Sequence, residues 1–566
     1  MGSVPKSGLT SLLAPPALAL FLVGMSMLAP SRSACAAEPG EEISELRRVL
    51  ERAEESLPPA EATLGTHRET KPAFRGEPST TRSTGSRGTT TDWTPYAGAF
   101  GHEEAAHLLH RAVIGPKWSE VETAATTGLS GTVDLLLAPR FPPSSPGAWA
   151  TEPVPDTRGW PQAQIDSLIA LYRERGDLLR LWWSEVMVDQ QTSVTESMVL
   201  FWHDHFATGI DKVLFPQSMY IQNDLFRDYA TGSFRELTRN VAYDPAMLLW
   251  LDGQYNRAGN VNENWARELL ELFTLGVDHY TQDDVVAAAR AFTGYYTTDG
   301  VTSAFNPAWH DNGYKVFLGQ GGFWDGDDII DIIFQQDETA RFVCRKLYKW
   351  YVDEYPDDVL LDGLAQTLRD NDYQIAPVLR QIFLSEHFFD IDYRGSVIKD
   401  GVDHYAGLIR MLGMGPMLDL SDPEDNQSVF VTYSMFVYDQ ILFQPPNVAG
   451  WPGYRTWVNS YTLPWRKTLD VGLIDGIVLG YPITMQANVK ALAQQFQDPN
   501  DPYQVVSDTA ALFFGFQPTE LVANRMLDEL LQGAEPWEWN INDPNATQQL
   551  RALFRLTMRL PDFQLK

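Results

Sequence analysis

The stretch NENWARELLELFTLGVDHYT, Asn262 to Thr281, sets the fold class. Leu269, Leu272 and Phe273 stand three and four residues apart, the spacing of one buried face of an α-helix. On a helix predicted from Asn262 to Leu275, Asn264, Glu268 and Glu271 share one face, while Glu263, Arg267 and Leu270 share a neighbouring one. Gly276 ends it. The polar side has two readings: a solvated face held by a Glu263–Arg267 pair, or the wall of an active site.

The same periodicity runs outward in both directions. HEEAAHLLHRAVIG places Ala105, Leu108, Leu109 and Ala112 on one face and stops at Gly115-Pro116. Two long helices follow, AQIDSLIALYRERGDLLRLWWSEVMVDQ and SVTESMVLFWHDHFAT, joined around Gln191. TQDDVVAAARAFTGYY opens on a capping-box pair, Thr281 and Asp284. The stretch from Tyr295 to Gly326 is rich in Gly, Asn and aromatics and predicts a hairpin or irregular loop. Helices then resume until a second irregular loop, FQPPNVAGWPGYRTWVN, after which helix is predicted to the last residues. The fold class is therefore mainly α: a multi-helix, bundle-like body with two long irregular loops and a small β-hairpin insertion.

Composition narrows the class of function. With 74 acidic against 43 basic residues and a net charge of −31, the surface repels phosphate backbones, so no nucleic-acid partner is expected. Lys6, the apolar run Leu12–Leu28 and the small residues of SACAAEP have the form of a secretory signal peptide over 1–37. An uncleaved anchor and a lipoprotein attached through Cys35 are the other readings of that segment. The expected location is periplasmic or secreted, with no spanning segment once the signal is removed. Residues 38–95 hold a charged helical stretch and the Ser/Thr/Gly/Arg-rich GEPSTTRSTGSRGTTT, too polar to offset its ordering entropy, and read as a flexible linker. Residues 96–566 form one large helical domain. Cys344, the cysteine that remains after cleavage, sits in a helical pattern as a buried residue.

Candidate chemistry gathers in four places. Glu268, Glu271 and Arg267 lie on the opening helix. The loop AWHDNGYK offers His310 as general base or metal ligand, Asp311 to orient it and Lys315 to stabilise an anion; its structural alternative is an Asx-turn closed by Asp311 with a solvated Lys315. In FWHDHF, His203 and His205 are about 200° apart on a helix and cannot share an ion. A hydrogen-bonded core histidine is the stronger reading for His203. If His203, Glu268 and His310 converged, they would suit a divalent metal with open positions. Trp451 and Trp457, in the Pro- and Gly-rich second loop, either stack on a bound sugar ring or anchor the loop, and Asn264 is a further binding candidate. No G-x-S-x-G elbow, H-E-x-x-H helix, P-loop or G-x-G-x-x-G fingerprint is present.

Taken in order, NENWARELLELFTLG, YTQDDVVAAARAFTGY, FNPAWHDNGYKVFLG, TARFVCRKLYKWYV and LFQPPNVAGWPG closely resemble the signature segments of the DUF1800 family of bacterial proteins. HLLHRAVIGP and MVLFWHDHFAT resemble that family's N-terminal segments, so the resemblance covers about Gly101 to Lys566. It implies an exported protein working beside DUF1501-like exported proteins, which resemble alkaline phosphatases and sulfatases. Two functions are thus expected: an acid/base or metal-assisted hydrolase with its site between 262–275 and 309–315, or a non-catalytic envelope partner of such a protein.

Overall fold

The computed structural model describes residues 92–415, 426–478, 481–482 and 486–566. The predicted signal peptide and most of the predicted linker lie outside these residues. The chain divides into two compact units, a small one that includes Asp156–Ala170 and a large one comprising Thr84–Pro155 and Leu171–Lys566. Packing in the large unit already includes Trp93, whose indole Nε1 donates to Leu360 O at 2.9 Å, so the folded body starts slightly before the predicted boundary at 95.

The protein is mainly α, with three two-stranded antiparallel ribbons among the described residues. Helices run His102–Ala112, Gln162–Asp189 and Thr195–His205 as their patterns predict. The Thr281 capping box forms: Asp284 N donates to Thr281 Oγ1 at 3.2 Å and Thr281 N to Asp284 Oδ2 at 2.8 Å. Cys344 is fully buried, and burial raises its thiol pKa. Where one hairpin was expected there are two ribbons, Tyr295–Thr297 with Ser303–Phe305 and Lys315–Phe317 with Gln320–Gly322. A third, Ile477–Val478 with Tyr481–Pro482, interrupts the stretch predicted as continuous helix.

The helix Thr195–His205 lies within the core of the large unit. All its residues except Thr195 and Asp204 are buried, Glu196, Ser197, His203 and His205 among them, so its polar groups need partners from the surrounding elements. Its one buried acid near the start, Glu196, is satisfied by Arg227 at 2.8 Å and by the Trp183 indole at 2.9 Å, since an unpaired carboxylate there would be costly.

The opening stretch departs from a plain α-helix. Asn264–Glu268 is α-helical, but Leu269–Thr274 is a π-helix, closed by Leu275 N donating to Leu270 O at 3.0 Å. The wider turn shifts the faces: Leu269, Leu270 and Phe273 are buried, whereas Leu272 is only half-buried. Leu270, predicted on the polar side, thus joins the core.

Close packing also shows at Gly115, where φ is +63° and a Cβ would lie 2.1 Å from Gly407 O; Gly128, at φ +82°, has nothing within 4 Å. Gly128→Ala should therefore cost about 1–2 kcal/mol of backbone strain alone. Gly115→Ala should cost at least roughly twice that, because the Gly407 backbone must also move. Urea unfolding of the two variants measures the difference, and equal losses would contradict the close backbone approach.

Candidate functional site

The last turn of the central helix opens into a pocket of about 290 Å³. Asp204 and His205 come from this turn, Lys346 and Trp350 from the helix Asp337–Tyr351, and Trp451, Tyr454 and Trp457 from the second irregular loop. Ser396, Val397, Ile398, Asp400, Gln440 and Lys566 complete the lining.

His205 has a defined tautomer. Its Nε2 lies 3.0 Å from Phe273 O, which can only accept, so Nε2 carries the proton. Burial holds the ring neutral, and Nδ1 then accepts from Lys346 Nζ at 3.1 Å. Lys346 also donates to Leu272 O at 3.1 Å. Both carbonyls end the π-helical stretch, where a helix leaves its last C=O groups without internal partners and favours positive charge. The opening sequence motif therefore shapes this site through its backbone.

Asp204 Oδ1 accepts the Trp451 amide at 2.7 Å; Oδ2 has no hydrogen-bond partner among the described residues. Burial pushes its carboxyl up to about 7, opposed by the Trp451 N–H and by the charge of Lys346. Burial likewise lowers Lys346 to about 8, with the charge of Asp204 opposing. The loop is fitted tightly over this acid: Gly450, at φ +81°, would place a Cβ 2.3 Å from Asp204 Oδ1. Asp400, also in the lining, is raised to about 6 by burial and by Asp403. Asp403 pairs with Lys566 at 2.7 Å, and Lys349 pairs with Glu354 at 2.7 Å.

The residues singled out from the sequence fall elsewhere, except for the two tryptophans. Trp451 and Trp457 line the pocket at 7% and 8% exposure, so they anchor the loop and still present an edge to the cavity. His203 lies behind Trp451, ring centroids 5.6 Å apart, among Trp183, Phe226 and Phe443. It is a core residue, but Nε2 is buried without a hydrogen-bond partner among the described residues, unlike the bonded histidine expected. Arg267 donates to Glu263 at 2.9 Å, the predicted i,i+4 pair, and to Gln282. Glu271 accepts from Tyr280, while Glu268 is half-buried and raised by burial and by Glu271. Asn264 is exposed.

In the 309–315 loop, His310 Nδ1 donates to Thr293 O at 2.9 Å. Arg290 grips Asp311 through two hydrogen bonds of 2.7 and 3.0 Å and holds it down to about 2. Gly313 N closes the Asx-turn on Asp311 at 2.8 Å. Lys315 is buried rather than solvated and donates to Asp311 O and Gly313 O. These groups hold the loop together. None of Arg267, Glu268, Glu271, His310, Asp311 or Lys315 lines the pocket, and among the described residues no three His, Cys, Asp or Glu side chains are grouped to hold a metal ion. His203, Glu268 and His310 therefore do not converge.

Asp204 and Lys346 escaped the sequence reading, and His205 entered it only as a residue unable to share an ion with His203. The available signals were an acid and a histidine ending an otherwise apolar helix, and a lysine four residues from both Phe342 and Trp350 on an aromatic helix face.

A family model described as Protein of unknown function (DUF1800) matches residues 107–565. No curated protein and no solved structure matches the chain.

The Asp204 carboxyl sets a pH dependence of known sign. Folded protein keeps this proton up to about pH 7, whereas the unfolded chain releases it near 3.8. The folded state thus binds more protons between these values, and the Asp204 contribution to stability is lost as pH rises through that window. Compared with wild type, Asp204→Asn should gain about 1 kcal/mol per pH unit from roughly pH 4 to 7, then level off. Urea unfolding across this range reads the difference; a flat difference would mean an ordinary carboxylate.

Proposed function

The chain belongs to the DUF1800 family, and on that premise we propose that it is a proton-transfer enzyme, a hydrolase in the first instance, working in the pocket beneath the Trp451 loop. One observation carries this reading. An acid and a base of opposite charge, Asp204 and Lys346, both line one cavity and are both displaced towards neutrality by burial. Groups that titrate near the working pH are the efficient proton donors and acceptors, and such displaced pairs concentrate at functional sites.

Asp204 acts as the general acid through its free Oδ2. The neutral Lys346 amine, held by His205 and the Leu272 carbonyl, is the partner base. Asp400 provides a second carboxyl in the lining. Phe201, Trp350, Trp451 and Trp457 lower the polarity of the cavity, which strengthens electrostatic contacts inside it. The volume of about 290 Å³ suits a small polar substrate. The leader-like sequence over 1–37 supports a working place outside the cytoplasm.

A panel of chromogenic esters, phosphates and glycosides tests the reading. One class should be turned over with a bell-shaped pH profile whose limbs lie near 7 and 8, and Asp204→Asn should reduce turnover by about 10²–10⁴-fold. Difference infrared spectroscopy, with Asp204→Asn subtracted, reads the carboxyl directly; titration in the ordinary carboxylate range would end the proposal. Gly450→Ala should depress activity by a similar factor, since the added methyl displaces Asp204 or the Trp451 amide. It should cost about 1–3 kcal/mol of stability, measured by urea unfolding.

A second reading, an assembly partner for an exported alkaline-phosphatase-like protein, draws on the ribbon around Lys315–Gly322. Tyr314, Val316 and Phe323 there are 57%, 57% and 76% exposed. Phe323→Ser with Val316→Ser would abolish such an association in a pull-down while leaving turnover intact.

A further inference from the structure

We infer that Lys346 is a nucleophile and that the pocket takes a small aldehyde or ketone, held as a Schiff base on Lys346 Nζ. This rests on the acid–base reading of Asp204 and Lys346 above and goes beyond its hydrolase form, with Lys346 bonding to the substrate instead of only taking its proton. Three lysines line the pocket. Lys349 and Lys566 are ion-paired to Glu354 and Asp403, both at 2.7 Å. Lys346 has no carboxylate within ion-pairing distance among the described residues; its two hydrogen bonds go to neutral acceptors, His205 Nδ1 and Leu272 O.

Those two acceptors match the two N–H bonds of a neutral amine. Once both are placed, the remaining tetrahedral direction at Nζ belongs to the lone pair. His205 cannot reverse its role, because its proton is committed to Phe273 O through Nε2. The orientation of the amine is thus set by two backbone carbonyls and one ring, all rigidly held. A lysine desolvated among aromatic side chains is a usual form of activated amine nucleophile. Lys315 and Lys399 are also buried and bonded to carbonyls, but neither lines the pocket.

The chemistry balances within the site. The Nζ lone pair attacks the carbonyl carbon, a C–N bond forms, and the C=O π pair moves to oxygen, which takes the proton of the Asp204 carboxyl. The new ammonium nitrogen returns a proton to the Asp204 carboxylate, giving a carbinolamine. Asp204 then protonates the hydroxyl, water leaves, and the nitrogen pair forms C=N. The products are water and a protonated imine beside the Asp204 carboxylate.

Reductive trapping tests this on the full chain. Wild-type protein is incubated with propanal and sodium cyanoborohydride at pH 8, and peptide mass mapping follows propylation of each lysine. Lys346 should be modified at least tenfold faster than Lys349, and Asp204→Asn should slow labelling at Lys346 at least tenfold while leaving Lys349 unchanged. Lys346→Arg should lose the fast site and no other. Labelling of Lys346 no faster than Lys349 in wild type would overturn the inference without recourse to any variant. If that occurred while infrared spectra still placed the Asp204 titration near 7, the Schiff base alone would fall. An ordinary Asp204 titration would remove the acid–base reading as well.

Discussion

The helix Thr195–His205 has almost no solvent face, and this constraint organises the large unit. A helix buried on nearly every side cannot send the polar groups of its last turn to water, so the surrounding elements must supply their partners. Asp204 receives the Trp451 amide from one loop. His205 receives a carbonyl from the opening helix and an amine from Asp337–Tyr351. Three segments distant in sequence are thereby drawn to one point, and the pocket is the space left where they meet.

The π-helical turn at Leu269–Thr274 is the matching device on the neighbouring element. Leu270 is buried, the Phe273 carbonyl meets His205 of the central helix, and the Leu272 carbonyl meets Lys346 of the helix Asp337–Tyr351. Such turns place backbone groups where an α-helix would pair them internally. The carboxylates of the same stretch serve local ends: Glu263 holds Arg267, and Glu271 accepts from Tyr280. The motif matters to the pocket, but through its main chain.

Burial also decides the chemistry of the pocket. A desolvated carboxyl resists ionising and a desolvated amine resists protonation, so Asp204 and Lys346 move towards each other on the pH scale. Their mutual attraction pulls in the opposite sense and is outweighed. At the 309–315 loop the balance is reversed: Asp311 is only partly buried and gripped by Arg290, and it stays firmly ionised. Two Asp residues in similar sequence company, each beside a histidine, thus acquire opposite characters from their surroundings.

Helical periodicity, Gly115-Pro116, the Thr281–Asp284 cap and the Gly-rich irregular loops were legible because each rests on near neighbours along the chain. They determined the mainly α class, the helix positions and the burial of Cys344. The loop FQPPNVAGWPGYRTWVN was legible as special, and its tryptophans do reach the pocket. What a polar residue does was not legible, because that depends on partners far off in sequence. His203 and His205 differ by two positions, yet one packs against Trp451 and the other orders Lys346. The π turn is equally invisible in the residue spacing, since its hydrogen-bond register is chosen by what packs against it. Only the tertiary structure, by deciding which groups lose water together, turned Asp204 and Lys346 into a site and left Asp311 and Lys315 as loop supports.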